Sequence, residues 1–83
     1  MVTDGTESYA GLGVGATIED MDIRDLMAAI LATDNLVLKT TYQSLLEGSK
    51  KHLRSFAGLL QEKGVEYASQ YIDQELFDAI LGL

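Results

Sequence analysis

The chain of 83 residues contains no cysteine, no proline and no tryptophan. Without cysteine, disulfides, thiolate nucleophiles, iron–sulfur clusters and cysteine-ligated zinc sites are excluded. Any metal ion would have to be bound by carboxylates and by the single histidine, His52. The absence of proline, together with an apolar set dominated by leucine, alanine, isoleucine and methionine, favours helix over strand.

Basic residues are also scarce, with 6 Lys and Arg against 13 Asp and Glu and a formal net charge of -7. Because this charge repels phosphate backbones, nucleic-acid binding is not expected, and the short basic cluster at residues 50–54 is interpreted as a solvated helix face. No apolar run approaches the roughly 18 residues of a membrane span. The N-terminus also lacks the charged start and apolar core of a secretion signal. We therefore expect a cytoplasmic protein with neither a membrane nor a nucleic-acid partner.

Four of the eight glycines lie within the first 16 residues. Because glycine loses much backbone entropy on folding, residues 1–16 are predicted to form a glycine-rich arm. A helix is predicted to begin at Thr17, since threonine is a good N-cap and the acidic Asp20 follows in the first turn. The folded domain is accordingly predicted to span residues 17–83.

Apolar periodicity predicts three helices. The first covers residues 17–33, and a new N-cap at Asp34 follows it. The second covers residues 35–63 and ends near Gly64. One face of this second helix repeats at alternating spacings of four and three: Leu38, Tyr42, Leu45, Ser49, His52, Phe56 and Leu59. Asp73 caps a short third helix over residues 74–81.

These elements predict an all-α fold in which the two long helices form an antiparallel hairpin, because their link is very short. The third helix is expected to pack across the open end of the hairpin. A chain this short buries only a modest fraction of its unfolded surface, so a partner chain is expected to cover the rest.

The long helix has a polar centre, with Ser49 and His52 three residues apart on the predicted core face. Glu19 and Asp22 stand on the facing helix. A carboxylate opposite an imidazole indicates either half of a metal site or a hydrogen-bonded pair, so His52 is a buried structural histidine, a metal ligand or an exposed side chain. A buried histidine would bond to Glu19, Ser49 or a tyrosine.

The ordered segments GATIEDMDI (residues 15–23), GSKKHLRSF (48–56) and YASQYIDQELFDAIL (67–81) resemble one known family. Over residues 9–81 the chain resembles the C-terminal half of the ferritin-like, rubrerythrin-related domain of unknown function DUF2202. Ferritin-like bundles take a Glu from one helix of each hairpin and a Glu-x-x-His motif from the other.

This resemblance implies that Glu19 is the lone carboxylate and that Ser49-Lys-Lys-His52 stands in place of Glu-x-x-His. Serine cannot supply the charge that bridges two metal ions. Glu19, Asp22 and His52 remain as ligands for iron or manganese, sufficient for a mononuclear site only if two chains contribute. The missing hairpin of the fold would come from a second copy in a homodimer.

Two functions follow from these expectations. The first is a non-catalytic ferritin-like helical module that self-associates into a four-helix bundle and retains a degenerate metal site. The alternative is a dimeric iron- or manganese-binding oxidoreductase of the ferritin and rubrerythrin type.

Overall fold

The computed structural model describes residues 9–82, which form three α-helices. Helix α1 spans Tyr9–Ala32, helix α2 spans Leu36–Glu62 and helix α3 spans Gln74–Leu81. Helices α1 and α2 lie against each other as an antiparallel hairpin, and α3 packs on α2. The all-α architecture of two long helices and one short C-terminal helix agrees with the prediction.

The start of α1 differs from the prediction by eight residues. Residues 9–16 are helical rather than part of an arm, while residues 1–8 of the predicted arm lie outside the described residues. Thr17 is not an N-cap, because its hydroxyl lies within the helix and donates a hydrogen bond to the Gly13 carbonyl at 2.9 Å. Leu12 and Ala16 are completely buried, and this burial offsets the entropic cost of the neighbouring glycines.

The link between the long helices consists of residues 33–35. The N-cap of α2 is Asn35 rather than the predicted Asp34, and its side chain accepts a hydrogen bond from the backbone N–H of Leu38 at 3.0 Å. The hydroxyl of Thr33 in turn accepts from the Asn35 N–H at 3.1 Å. Asparagine and aspartate are about equally good caps, so the local sequence allowed either position.

Local signals place the other helix ends where they were expected. Gly64 follows α2 with a positive φ of 80°, a conformation that glycine adopts without strain. Asp73 caps α3, since its carboxylate accepts a hydrogen bond from the Leu76 N–H at 2.8 Å. Arg54, in the basic cluster, donates a hydrogen bond from Nε to the carbonyl of Ile80 at 2.8 Å and so joins α2 to α3.

The core lies on one side of the hairpin, where the segment after α2 and helix α3 cover both long helices. Tyr67 packs against Phe77 there, with ring centroids 5.7 Å apart. The buried apolar side chains are contributed by all three helices and by the connecting segment: Leu12, Ala16, Ile23, Leu53, Ala57, Leu60, Ile72, Phe77 and Ile80.

Candidate functional site

The opposite side of the hairpin carries an open groove of about 660 Å³ between α1 and α2. Its α1 wall is acidic at one end and apolar at the other, with Glu19, Asp22 and Asp25 followed by Leu26 and Ala29. Helix α2 contributes Tyr42, Ser44, Leu45, Gly48, Ser49 and His52. All three predicted metal-site residues therefore line one groove.

Glu19 and His52 contact each other across this groove, with 3.3 Å between the Glu19 Oε2 and the His52 Nδ1. The side chain of Glu19 is 15 % exposed, whereas that of His52 is 67 % exposed. Of the three partners expected for His52, Glu19 is the one in contact. The interpretation of His52 as a buried histidine is wrong, and its side chain is exposed, as a further alternative had it. The hairpin supports the imidazole on one side and leaves most of it open to solvent.

Ser49 lies one turn before His52 and is buried, as its place in the core stripe predicts. The alternating four- and three-residue spacings of the sequence placed both side chains in one stripe. In the structure that stripe crosses from the covered side of α2 to the open side. Ser49 falls on the inner edge of the groove, while His52 falls on the outer edge.

The predicted metal site is incomplete within one chain. Among residues 9–82, no group of three or more histidine and carboxylate side chains is placed to bind a metal ion. Glu19, Asp22 and His52 share the groove without forming such a group. The residues of a single chain do not fit a metal centre, so metal binding by two chains stays a prediction.

The carboxylate that organises the fold is Asp20, which is completely buried. Its Oδ2 accepts hydrogen bonds from the Tyr67 hydroxyl at 2.7 Å and from the Gln70 N–H at 2.7 Å. Its Oδ1 accepts from the N–H groups of Tyr71 at 3.1 Å and Ile72 at 2.9 Å. These bonds offset the cost of burying a charge and fix the segment between α2 and α3 against α1.

The pKa of the Tyr67 hydroxyl is shifted by its burial and by its hydrogen bond to Asp20. Burial, followed by the hydrogen bond to Asp20, raises the pKa of the Tyr67 hydroxyl to about 12. Tyr67 therefore stays a neutral donor over the ordinary pH range. Tyr71, four residues further on, is partly exposed, with the Arg24 guanidinium 4.6 Å from the centre of its ring.

The role of Asp20 was missed because an acidic residue three positions after Thr17 matched a helix N-terminus. One signal pointed elsewhere. Asp20 lies four residues after Ala16 and three before Ile23, a spacing that places it on the buried face of a longer helix. An acid on such a face requires several donors, and donors of that kind come from backbone N–H groups outside the helix.

Comparison with known proteins assigns this chain to a family. Residues 1–82 match the family described as "Uncharacterized protein domain (DUF2202)". The chain belongs to this family. The DUF2202 assignment agrees with the resemblance drawn from the sequence, whereas the ferritin-like and rubrerythrin-related character of the domain stays a prediction.

A longer relative shares both the sequence and the fold of this DUF2202 chain. The uncharacterized protein MJ0754 of Methanocaldococcus jannaschii is 46 % identical over 82 residues, which cover 98 % of this chain and 44 % of the relative. The crystal structure of hypothetical protein MJ0754 matches with a TM-score of 0.89 at 42 % identity, covering 92 % of this chain and 43 % of that one. The chain thus spans less than half the length of the relative.

Within residues 9–82, no helix combines the length and the apolar composition that a membrane crossing requires.

Proposed function

We propose that this chain is a non-catalytic helical module that self-associates, groove to groove, into a four-helix bundle of the ferritin-like type with a degenerate metal site. The observation that supports the proposal is the apolar surface of the open side of the hairpin. Leu45 lines the groove, and Leu38 and Leu59 lie on the same face of α2 at seven-residue spacings from Leu45 and His52; all three leucines are exposed.

The two sides of the hairpin explain why a second copy is needed. The segment following α2 covers one side, and among the described residues nothing covers the other. A hairpin of two helices is half of a four-helix bundle, and packing two such halves buries the apolar stripes of both. A two-fold axis lets one surface serve as both partners of the interface.

The non-catalytic part of the proposal rests on the centre of the groove. The resemblance to ferritin-like proteins implies that Ser49 takes the position of a carboxylate ligand, and a buried serine at the inner edge of the groove cannot replace that charge. His52 is paired with Glu19. Beside the Glu19–His52 contact and the acidic Asp22 and Asp25, the groove has apolar side chains at its other end, which suits a packing surface better than a redox centre.

The test is sedimentation velocity on the intact chain and on two matched variants. We expect the chain to form a dimer at micromolar concentration. Leu45→Lys places a charge in the groove and is expected to give a monomer. Leu31→Lys is the control, because Leu31 is 87 % exposed and does not line the groove, so the dimer should persist. A monomeric unsubstituted chain would refute the proposal.

The placement of Glu19, Asp22 and His52 in one groove supports a second candidate, a dimeric iron- or manganese-binding oxidoreductase. In a dimer, two sets of these side chains would face one central space, and a bound metal would supply redox chemistry. Native mass spectrometry of protein purified without chelator separates the two candidates. A metal-free dimer supports the helical module, and a dimer with stoichiometric iron or manganese supports the oxidoreductase.

A further inference from the structure

The exposed face of α2 carries a seven-residue repeat. Leu38, Leu45, His52 and Leu59 follow one another at intervals of seven, and all four are exposed. The three leucines are 43 to 54 % exposed. Seven residues turn an α-helix by about 700°, only 20° short of two full turns, so the four side chains form one narrow stripe. A stripe with this period is the packing seam of a helical bundle.

The centre of this stripe lies between Gly48 and Ser49. If a second copy of α2 runs antiparallel about a two-fold axis at that point, Leu38 lies opposite Leu59 of the second copy. Leu45 then lies opposite His52 of the second copy. The axis passes beside Gly48, where even an added Cβ would meet no atom within 4 Å. The absence of a side chain allows the two helices to approach closely at their crossing point.

Other arrangements of the same stripe are less favourable. A parallel copy in register also pairs all four positions, but it buries His52 against His52 of the second copy. An antiparallel copy shifted by seven residues pairs only three positions. In the arrangement centred at Gly48, each imidazole meets a leucine and keeps Glu19 of its own chain as its polar partner at 3.3 Å.

We propose that His52 fixes the orientation of the self-association, so that the two α2 helices pack antiparallel about an axis beside Gly48. This inference rests on the proposed self-association and adds its geometry. A single polar residue in an apolar seam specifies register at some cost in affinity. Glu19 positions the imidazole, and His52 is a specificity-determining residue rather than a catalytic one.

The absence of cysteine makes the geometry directly testable, because each introduced cysteine is the only thiol in its chain. Three single variants are required: Leu38→Cys, Gly48→Cys and Leu59→Cys. In the antiparallel dimer the two copies of residue 38 lie about 32 Å apart along the helix axis. A disulfide requires Cα atoms within about 7 Å.

Under mild oxidation we expect Gly48→Cys to form a disulfide-linked dimer by itself. Leu38→Cys and Leu59→Cys should each fail alone and should cross-link when mixed in equal amounts. The mixture does not alter Gly48, so it tests the axis even if a side chain there weakens the dimer. Efficient cross-linking of Leu38→Cys alone, in a chain that sediments as a dimer, would overturn the orientation and leave self-association intact. A monomer would overturn both.

The role of His52 is tested in the Leu38→Cys chain. We expect His52→Leu to tighten the dimer about tenfold and to allow parallel dimers, so that Leu38→Cys now cross-links alone. His52→Asn keeps a polar group in the seam and should restore the antiparallel pattern. If His52→Leu leaves the cross-linking pattern unchanged, His52 does not determine the orientation.

Discussion

Glu19 and Asp20 are neighbours in the sequence, yet the helix directs their carboxylates to different surfaces. Successive residues of an α-helix are about 100° apart, so Glu19 reaches the groove and Asp20 points beneath the segment that follows α2. Glu19 pairs with an exposed imidazole, whereas Asp20 binds three backbone N–H groups and one hydroxyl. The buried carboxylate therefore contributes to the fold and the groove carboxylate to the candidate interface.

We expect Asp20→Asn to lower the free energy of unfolding by about 2 kcal/mol or more. The amide of asparagine keeps one acceptor oxygen but replaces the other with an NH₂ group. This NH₂ group is itself a donor, so the N–H groups that faced the second carboxylate oxygen lose their acceptor. Urea titrations at one fixed protein concentration measure the change. Asp25→Asn is the control, since Asp25 is exposed and its only bonded partner among the described contacts is Arg24; its effect should stay within about 0.5 kcal/mol. Equal effects of the two substitutions would contradict this role of Asp20.

The pKa of Tyr67 predicts a loss of stability in alkali. Folding raises this pKa from 10.0 to about 12, so between these values the unfolded chain releases a proton that the folded chain keeps. The unfolded state then binds fewer protons, and the free energy of unfolding falls as the pH rises from 10 to 12. The contribution is fully present below pH 10.

Tyr67→Phe isolates this contribution from the other groups that titrate in alkali. Urea titrations of both proteins between pH 9 and 12 should show a steeper decline for the chain that retains Tyr67. Parallel declines would mean that Tyr67 does not contribute to the pH dependence.

At the scale of the helices, two glycines of α1 are expected to respond to substitution in opposite directions. A Cβ on Gly15 would lie 2.7 Å from Cζ of Phe56, whereas a Cβ on Gly13 would meet nothing within 4 Å. Gly15→Ala should therefore destabilise the fold by about 1–3 kcal/mol, because the Phe56 ring must move. Gly13→Ala should stabilise it by up to about 1 kcal/mol through helix propensity. Thermal unfolding followed by circular dichroism compares the pair, and two changes of the same sign would contradict the close contact at Gly15.

The sequence predicted those helix ends that depend on nearby residues. Asp73 and Gly64 act within a few positions of themselves, so the ends of α2 and α3 could be assigned from local chemistry. The start of α1 could not be assigned in this way, because the burial of Leu12 and Ala16 depends on residues distant in the sequence. The tertiary contacts of the glycine-rich residues 9–16 outweighed their local preference.

The same distinction between nearby and distant contacts explains which features of the candidate site could be predicted. Periodicity placed Glu19 opposite His52, and the structure has that pair. It did not determine which side of the hairpin the last segment would cover, because both sides of α2 carry leucines. The exposure of His52 follows from that choice of side, which depends on the bonds made by Asp20.

At the scale of the whole molecule, the apolar open side predicts that stability depends on protein concentration. For a dimer that unfolds to monomers, a hundredfold increase in concentration stabilises the folded state by about 2.7 kcal/mol. We therefore expect the midpoint of thermal unfolding to rise between about 1 µM and 100 µM chain. Calorimetry at the higher concentration and circular dichroism at the lower one give the two midpoints. Leu45→Lys should abolish the difference, and a midpoint that is independent of concentration in the unsubstituted chain would contradict dimer formation.

The carboxylate of Asp20 also imposes an order in time. Its hydrogen-bond donors follow it by 47 to 52 residues in the sequence. During synthesis α1 leaves the ribosome before those donors do, and the charge must stay hydrated until they arrive. We expect the hairpin alone to be a loose intermediate, and arrival of residues 67–72 to be the event that expels water from the core.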